Sequence, residues 1–406
     1  MDSKKEAIRA LAREAALQPQ EEMLEVGRKK KSLKIGIPKE TSYQENRIAL
    51  VPSAVELLVN NGHEVVVETQ AGKMSCFDDH EYSEAGAQIA YSAKEVFECN
   101  IVFKVAPPSL EEIDMMPGKQ TLFSAFQVGM HPVETLKKLM DKKVKAIAWD
   151  YIEDESGIFP VVRSMGEIAG NTSVLIAGEL LSNQQGGLGL MFGGISGVHP
   201  AEVVILGAGA VGEFATRAAL GLGANVKLFD NSIYKLRRLQ YDLGQRLWTS
   251  IVNPVEIEKA VVQADVVIGA LNGAFGRTPC VVSEDMVRKM RPGSVIVDVA
   301  IDKGGCVETS QLTNHKAPTY RKHDVIHYCV PNIASRVSRT ASYALSNIFT
   351  PILMEIGEEG RITDLLRKKS GLRKGMYLYN GILTNEIIGE AFGIPYKSLD
   401  LILATF

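Results

Sequence analysis

The stretch Ala201–Asp230, AEVVILGAGAVGEFATRAALGLGANVKLFD, decides how the rest of the chain is read. Val203-Val204-Ile205-Leu206 is a short apolar run of the kind that forms a parallel strand buried on both faces. It leads directly into Gly207-Ala208-Gly209-Ala210-Val211-Gly212, a G-x-G-x-x-G turn. Phe214, Ala215, Ala218, Ala219 and Leu220 then follow helical spacing, Gly221 and Gly223 stop the helix, and residues 225–229 give a second strand ending at Asp230. Each glycine has a mechanical task. Gly207 permits the tight turn, Gly209 lets a pyrophosphate approach the backbone, and Gly212 lets helix and strand pack closely. Ala210 and Val211 open the helix, whose free N–H groups and dipole favour negative charge. Asp230 comes 23 residues after Gly207, where a carboxylate accepts both ribose hydroxyls and repels a 2′-phosphate. Strand, turn, helix, strand and terminal acid in this order predict a dinucleotide site, for NAD rather than NADP.

At 406 residues the chain is too long for one ordinary core, so two domains are expected. Hydrophobic residues at 46% and charged residues at 23% match a soluble globular protein, and a net charge of −3 gives no reason to expect nucleic acid or an anionic membrane as partner. Cys76, Cys99, Cys280, Cys306 and Cys329 are odd in number and scattered, with no C-x-x-C pair, and read as reduced thiols of a cytoplasmic protein. The histidines show no metal-ligand spacing, so no metal site is expected. No apolar run is long enough to span a bilayer, and the N-terminus, charged from Lys4 onward, lacks the apolar core of a signal peptide.

Residues 1–32 stand apart as a helical arm ending in the basic run Arg28-Lys29-Lys30-Lys31, read as a solvated tether with a hint of subunit contact. From Leu33 to 165 strand and helix signals alternate without a glycine fingerprint, which predicts a first α/β domain, assigned to substrate. A long helix signal from Gly166 to Leu181 opens the nucleotide domain, 166–340, and Gly186–Gly197 reads as a mobile connector or hinge. Residues 341–406 begin with a long helical pattern, have no strand partners of their own, and are expected to return to the first domain. The fold class is therefore α/β: two Rossmann-like, doubly wound parallel-sheet domains with a cleft between them, plus the N-terminal helical arm.

Several motifs resemble alanine dehydrogenase and the related N-terminal nucleotide-binding domain of the proton-translocating transhydrogenase. They are Ile35-Gly36-Ile37-Pro38-Lys39-Glu40 with residues 45–52 (ENRIALVP), the glycine turn through Asp230, and Pro292–Cys306 (PGSVIVDVAIDKGGC). The resemblance covers Leu33 to about Phe406. It implies two α/β domains per subunit, NAD as cofactor, an amino acid or 2-oxo acid as substrate, and a homo-oligomer, hexamer or dimer.

In that family an arginine and a lysine hold the substrate, a histidine is the acid/base, and an aspartate sits by the nicotinamide. Arg47 matches the arginine, whose planar fork suits bidentate binding of a carboxylate. Asp302 matches the aspartate, and Asn332 an asparagine near the nicotinamide amide. Two positions depart. The family pattern K-V-K-E-P appears as Lys104-Val105-Ala106-Pro107-Pro108, so the lysine that touches substrate is Ala106. The histidine position is Gln127, which has no proton to exchange near neutral pH. A serine of the family near the nicotinamide is Gly166. Lys104, on the same strand face as Ala106, has two readings: a substrate ligand or an exposed strand-end lysine. His131 and His327 are candidates to replace the lost imidazole, or are structural. The resemblance thus implies an NAD-dependent dehydrogenase of L-alanine or a related amino acid, with Asp302 and Gln127 in the catalytic positions and Arg47 and Lys104 in the substrate positions. The alternatives are a transhydrogenase-type hydride-transfer subunit and a non-enzymatic NAD(H)-responsive protein.

Overall fold

Short β-branched runs separated by helices form two sheets in the computed structural model, which describes residues 32–42, 44–126, 132–272 and 277–404. The expected N-terminal arm lies, up to residue 31, outside the described residues. The first sheet contains β1 (Lys34–Ile37), β2 (Glu64–Glu68), β3 (Gln88–Ala90), β4 (Ile101–Phe103), β5 (Thr121–Ser124) and β6 (Lys145–Ala148). The second contains β7 (Glu202–Leu206), β8 (Asn225–Phe229), β9 (Trp248–Ser250), β10 (Val266–Gly269), β11 (Val295–Asp298), β12 (Thr319–Lys322) and β13 (Val325–Tyr328). Two further strands, β14 (Met376–Tyr379) and β15 (Ile382–Leu383), rejoin the first sheet.

Both sheets are doubly wound. The first runs β15-β14-β6-β5-β4-β1-β2-β3, parallel from β6 to β3, and the second β12-β13-β11-β10-β7-β8-β9, parallel from β13 to β9. Strand order therefore reverses between β1 and β4 in one sheet and between β7 and β10 in the other. Those are the crevices where ligands bind in open α/β sheets.

Period-two alternation gives each sheet two apolar faces. In β4, Ile101 and Phe103 enter one core with Leu345, Phe349 and Leu353, while Val102 enters another with Leu136 and Leu139. In β7, Val203 and Ile205 pack with Val174, Ala177 and Ala215, whereas Val204 and Leu206 pack with Ile257 and Val261.

Two helices join the halves. Pro160–Leu180 begins six residues before the expected Gly166, because Pro160 suits a first helical position. Its Val161 lies in a core of the first sheet, and Ala169 to Leu180 in a core of the second. Ser338–Glu359 carries the chain back. The tail after it corrects the sequence reading, since β14 pairs antiparallel with β6 and with β15. Asn380 and Gly381, both with positive φ (51° and 81°), make the tight turn that closes this hairpin. The glycine-rich segment 186–197 uses its glycines for close approach: a Cβ at Gly187 would collide with the Leu180–Leu181 backbone, and one at Gly193 with that of Leu222.

Candidate active site

Arg47 lies in the irregular stretch that follows β1, and its neighbours' backbone is held by serines far along the chain, on the helix Ser338–Glu359 and the turn before it. Asn46 N–H donates to Ser335 Oγ (2.8 Å), Ile48 N–H to Ser342 Oγ (2.9 Å) and Val51 N–H to Ser346 Oγ (2.8 Å). Ser335 Oγ in turn donates to the Gln44 carbonyl at 2.8 Å.

The guanidinium is buried and paired with Glu45, Nε donating to Oε1 at 2.7 Å and Nη2 to Oε2 at 2.6 Å. Burial opposes the Glu45 carboxylate, but Arg47 outweighs it and holds its pKa below the usual value. Bidentate pairing occupies one edge of the guanidinium. The other edge, between Nη1 and Nη2, keeps a parallel pair of N–H donors that suits a second carboxylate. Nη1 also donates a weak hydrogen bond to Met165 Sδ at 3.3 Å.

The second sheet brings Asp302 and Asn332 to the same place. Asn332, in the left-handed region at φ 54°, donates Nδ2 to Glu45 Oε2 at 2.9 Å. Its backbone N–H donates to the Asp302 carboxylate, which lies within electrostatic reach of Arg47. Asp302 is surrounded by protein yet keeps solvent-exposed surface, as a carboxyl on a cleft wall does. Burial is the larger influence and raises its pKa to about 6, against the pull of the Asn332 N–H, Lys303 and Arg47. Asp298, at the end of β11, shapes this loop by accepting N–H bonds from Ala300 (3.2 Å), Cys306 (2.9 Å) and Val307 (3.3 Å) and the Ser310 hydroxyl (2.7 Å).

Lys104 has a different task from both readings of the sequence. Its side chain is 0% exposed, and its ammonium lies between Glu40 (3.2 Å) and Glu112 (3.0 Å). Burial disfavours the charged amine, but the two carboxylates outweigh it and raise its pKa. Glu40 also accepts the N–H groups of Val105 (2.6 Å) and Ala106 (3.3 Å). The triad thus fixes the backbone at the end of β4.

His327 is likewise accounted for. It is fully buried, with Nδ1 3.0 Å from Val325 O and Nε2 2.8 Å from Thr309 Oγ1, and burial lowers its pKa to about 4. Gln127 and His131 lie outside the described residues. Glu45, Glu40 and Asp298 were not singled out from sequence, although each sits inside a quoted motif; their tasks show only in the bonds they make.

At the second switch point the dinucleotide turn is assembled. Gly207 has φ 115°, and a Cβ there or at Gly212 would collide with backbone, at Ala270 and Gly207 respectively. A Cβ at Gly209 would meet nothing within 4 Å. The helix Ala210–Gly221 has no side-chain cap, leaving its first N–H groups for a ligand. Asp230 Oδ2 accepts the Ala208 N–H at 2.7 Å, and Oδ1 that of Ser232 at 2.7 Å. An open cradle, an uncapped helix start and a terminal carboxylate fit a dinucleotide pyrophosphate and ribose. A Cβ at Gly166 would sit 3.1 Å from that of Ala210, so this position packs on the same turn. Among the described residues no group of three or more His, Cys, Asp and Glu could hold a metal ion, and no helix is long and apolar enough to cross a membrane.

Comparison with known proteins agrees along nearly the whole length. Residues 36–169 match the family described as alanine dehydrogenase/PNT, N-terminal domain, and residues 173–386 its C-terminal domain. The alanine dehydrogenase of Methanococcus maripaludis is 41% identical over 364 residues, 89% of this chain and 97% of that protein. That of Bacillus subtilis is 40% identical over 363 residues, 89% of this chain and 95% of that protein. Among solved structures, an L-alanine dehydrogenase superposes with a TM-score of 0.84 at 40% identity, covering 89% of this chain and 99% of that one. A transhydrogenase from Sinorhizobium meliloti shares the fold, with a TM-score of 0.74 at 22% identity over 87% of this chain and 99% of its own.

Two substitutions probe these arrangements. Lys104→Met leaves two buried carboxylates facing each other and is expected to cost about 3–5 kcal/mol in urea unfolding. Asp230→Asn keeps the shape that receives the Ala208 N–H but removes the charge; fluorescence titration is expected to show weaker NADH binding and measurable NADPH binding.

Proposed function

Because this chain belongs to the alanine dehydrogenase/transhydrogenase family, we propose that it is an NAD(H)-dependent dehydrogenase interconverting L-alanine, or a related small amino acid, with its 2-oxo acid. The observation that carries this reading is the meeting of Arg47, from the first sheet, with Asp302 and Asn332, from the second. Gly207, Gly209, Ala210, Val211, Gly212 and Asp230 would hold the dinucleotide, with Asn332 towards its nicotinamide end. When bound, NAD(H) supplies or accepts the hydride.

The residues of this chain then divide the remaining work. The free edge of Arg47 binds the substrate carboxylate, and Glu45 keeps that edge turned outward. Asp302 orients ammonia or the substrate amine and takes up its proton, a task suited to a carboxyl titrating at about 6. Gln127 offers hydrogen bonds to the substrate or to water, without a proton of its own. Ala106 leaves the carbonyl without the ammonium expected there. That departure favours a second reading, a hydride-transfer subunit working with a separate NADP-binding partner; a binding protein without turnover is the third. We place the enzyme in the cytoplasm, a reducing setting in which its five thiols stay free, and as a homo-oligomer.

NADH oxidation with pyruvate and ammonia tests the reading. Turnover absent from a panel of 2-oxo acids, with NADPH-dependent reduction of an NAD analogue present, would establish the second reading instead. Arg47→Lys is expected to lose roughly 10–100-fold in kcat/KM for the oxo acid, because a point charge cannot reproduce a bidentate pair. NADH affinity should be unchanged. Asp302 is protonated below about 6, so the rate should fall as pH drops through that value. Asp302→Asn should abolish this limb and lower kcat by about 10²–10⁴-fold.

A further inference from the structure

Amination of an oxo acid needs a proton at the carbonyl oxygen, first to form a hydroxyl and then to expel it as water. Gln127 has no proton to give, and His327 is buried away among Thr309, Val325 and Tyr320. The sheet that bears Arg47 nevertheless carries another titratable group at its functional rim.

Asp150 follows β6 directly, in the short turn Trp149–Tyr151. β5 and β6 are parallel, with Ser124 opposite Ala148, so both chains leave the sheet side by side at the same C-terminal rim. There Asp150 Oδ1 accepts the backbone N–H of Phe126 at 3.1 Å, and the next residue in the chain is Gln127. Trp149 Nε1 donates to the Val105 carbonyl at 3.0 Å, and the Val105 and Ala106 N–H groups donate to Glu40. The ends of β6, β5 and β4 are thus joined in strand order to the loop after β1, which continues to Arg47. At a strand spacing of about 4.8 Å, Asp150 stands roughly 10 Å along the rim from the end of β4.

The surroundings of this carboxyl are unlike those of a structural acid. No cation pairs with it among the described residues, and its backbone partners are the N–H groups of Phe126 and of its own residue. Among the described residues the titratable groups beside it are phenols, Tyr151 on its own turn and Tyr377 on β14, both held neutral by burial and then by Asp150 itself. Asp150 is half-buried, so part of it reaches solvent. Burial raises its pKa to about 7, leaving it part acid and part base at neutral pH.

We propose that Asp150 gives and takes the proton at the substrate's carbonyl oxygen, a catalytic role that rests on the dehydrogenase reading above. Ammonia forms the C–N bond at C2 as the C=O π pair moves to oxygen, which takes the Asp150 proton. Asp302 takes a proton from the new ammonium group, and Asp150 recovers one from solvent. Asp150 gives that proton to the hydroxyl, which leaves as water while the nitrogen lone pair closes C=N. The iminium ion is left, and solvent reprotonates Asp150. No oxidant or reductant is needed up to this point.

The test uses the full chain and its Asp150→Asn and Asp150→Glu variants. The wild type is expected to show a limb in its kcat/KM profile near pH 7 for pyruvate with ammonia. Asp150→Asn should lose that limb and about 10²–10⁴-fold in kcat, with NADH affinity, read by fluorescence, unchanged. Asp150→Glu should restore a titrating limb and part of the rate. Cofactor-free protein gives an independent readout. A carboxyl whose pKa is raised on folding binds its proton more tightly in the native state, so its favourable contribution is present at low pH and lost as pH rises from about 4 to about 7. The Tm of Asp150→Asn should therefore gain on that of the wild type across this window. An active wild type with Asp150→Asn keeping both limb and rate would overturn the assignment alone, as would a Tm gap independent of pH. A wild type inactive on every oxo acid would overturn the dehydrogenase reading and this role with it. If Asp150→Asn has lost NADH binding through misfolding, Asp150→Glu decides: a displaced limb supports the role, and an unmoved one overturns it.

Discussion

Buried backbone N–H groups need acceptors, and the irregular stretch 44–51 has no helix or strand of its own to supply them. Each one left unmet would cost about 1–3 kcal/mol. Ser335, Ser342 and Ser346 meet the N–H groups of Asn46, Ile48 and Val51. Ser342 and Ser346 are one helical turn apart, so the helix Ser338–Glu359 presents them as a row. This constraint explains the discontinuous chain. The segment bearing Arg47 has a fixed shape only once the returning helix lies against it, and that helix is anchored by Leu345, Phe349 and Leu353 in the core of the first sheet. Hydrophobic burial holds the helix, the helix holds the loop, and the loop holds the guanidinium.

Charge then fixes what the loop presents. A buried arginine without a partner would be costly, and Glu45, two residues away, meets it edge to edge. Asn332 donates to the same carboxylate from the other half of the molecule, so the pair also ties the two sheets together at the cleft. On the first sheet the Glu40–Lys104–Glu112 triad does comparable work at the end of β4, where the ammonium holds two carboxylates and one of these holds the Val105 and Ala106 backbone. Buried ions here set geometry more than they add stability.

The parts legible in the sequence were those whose cause is local. The glycine turn is one, since Gly207 and Gly212 are demanded by backbone that lies within a few residues or on the next strand. The parallel strands are another, because runs such as Val203–Leu206 state their burial outright. Arg47, Asp302 and Asn332 were marked by motif, and the structure brings them together. Lys104 was misread because no spacing rule pairs it with Glu112, eight residues on, or with Glu40 in the loop after β1. The strand β14 was missed although Asn380-Gly381 is a strong hairpin signal; its partner β6 lies more than two hundred residues earlier. Asp150 drew no notice because an aspartate after a strand looks like a turn residue until the absence of a paired cation among the described residues is seen.

On the proposed reading, the balance of charge at the cleft has a consequence for the substrate. Arg47 is already matched by Glu45, and the position where an ammonium would add positive charge is Ala106. An oxo-acid anion therefore enters a site whose arginine is already matched by a carboxylate, with Lys303 the cation beside Asp302. Every ionised carboxyl nearby opposes it, which makes the protonation of Asp150 part of substrate binding. Burial raises its pKa to about 7, so it is partly neutral under ordinary conditions. A bound anion would raise it further, since the neighbouring negative charge favours the neutral acid. That acid would then hold a proton when the oxo acid arrives and release it as the zwitterionic amino acid, whose ammonium group favours carboxylates, is formed. Binding and proton supply become one event, which is how a cleft with Ala106 in place of an ammonium keeps the protons that amination consumes.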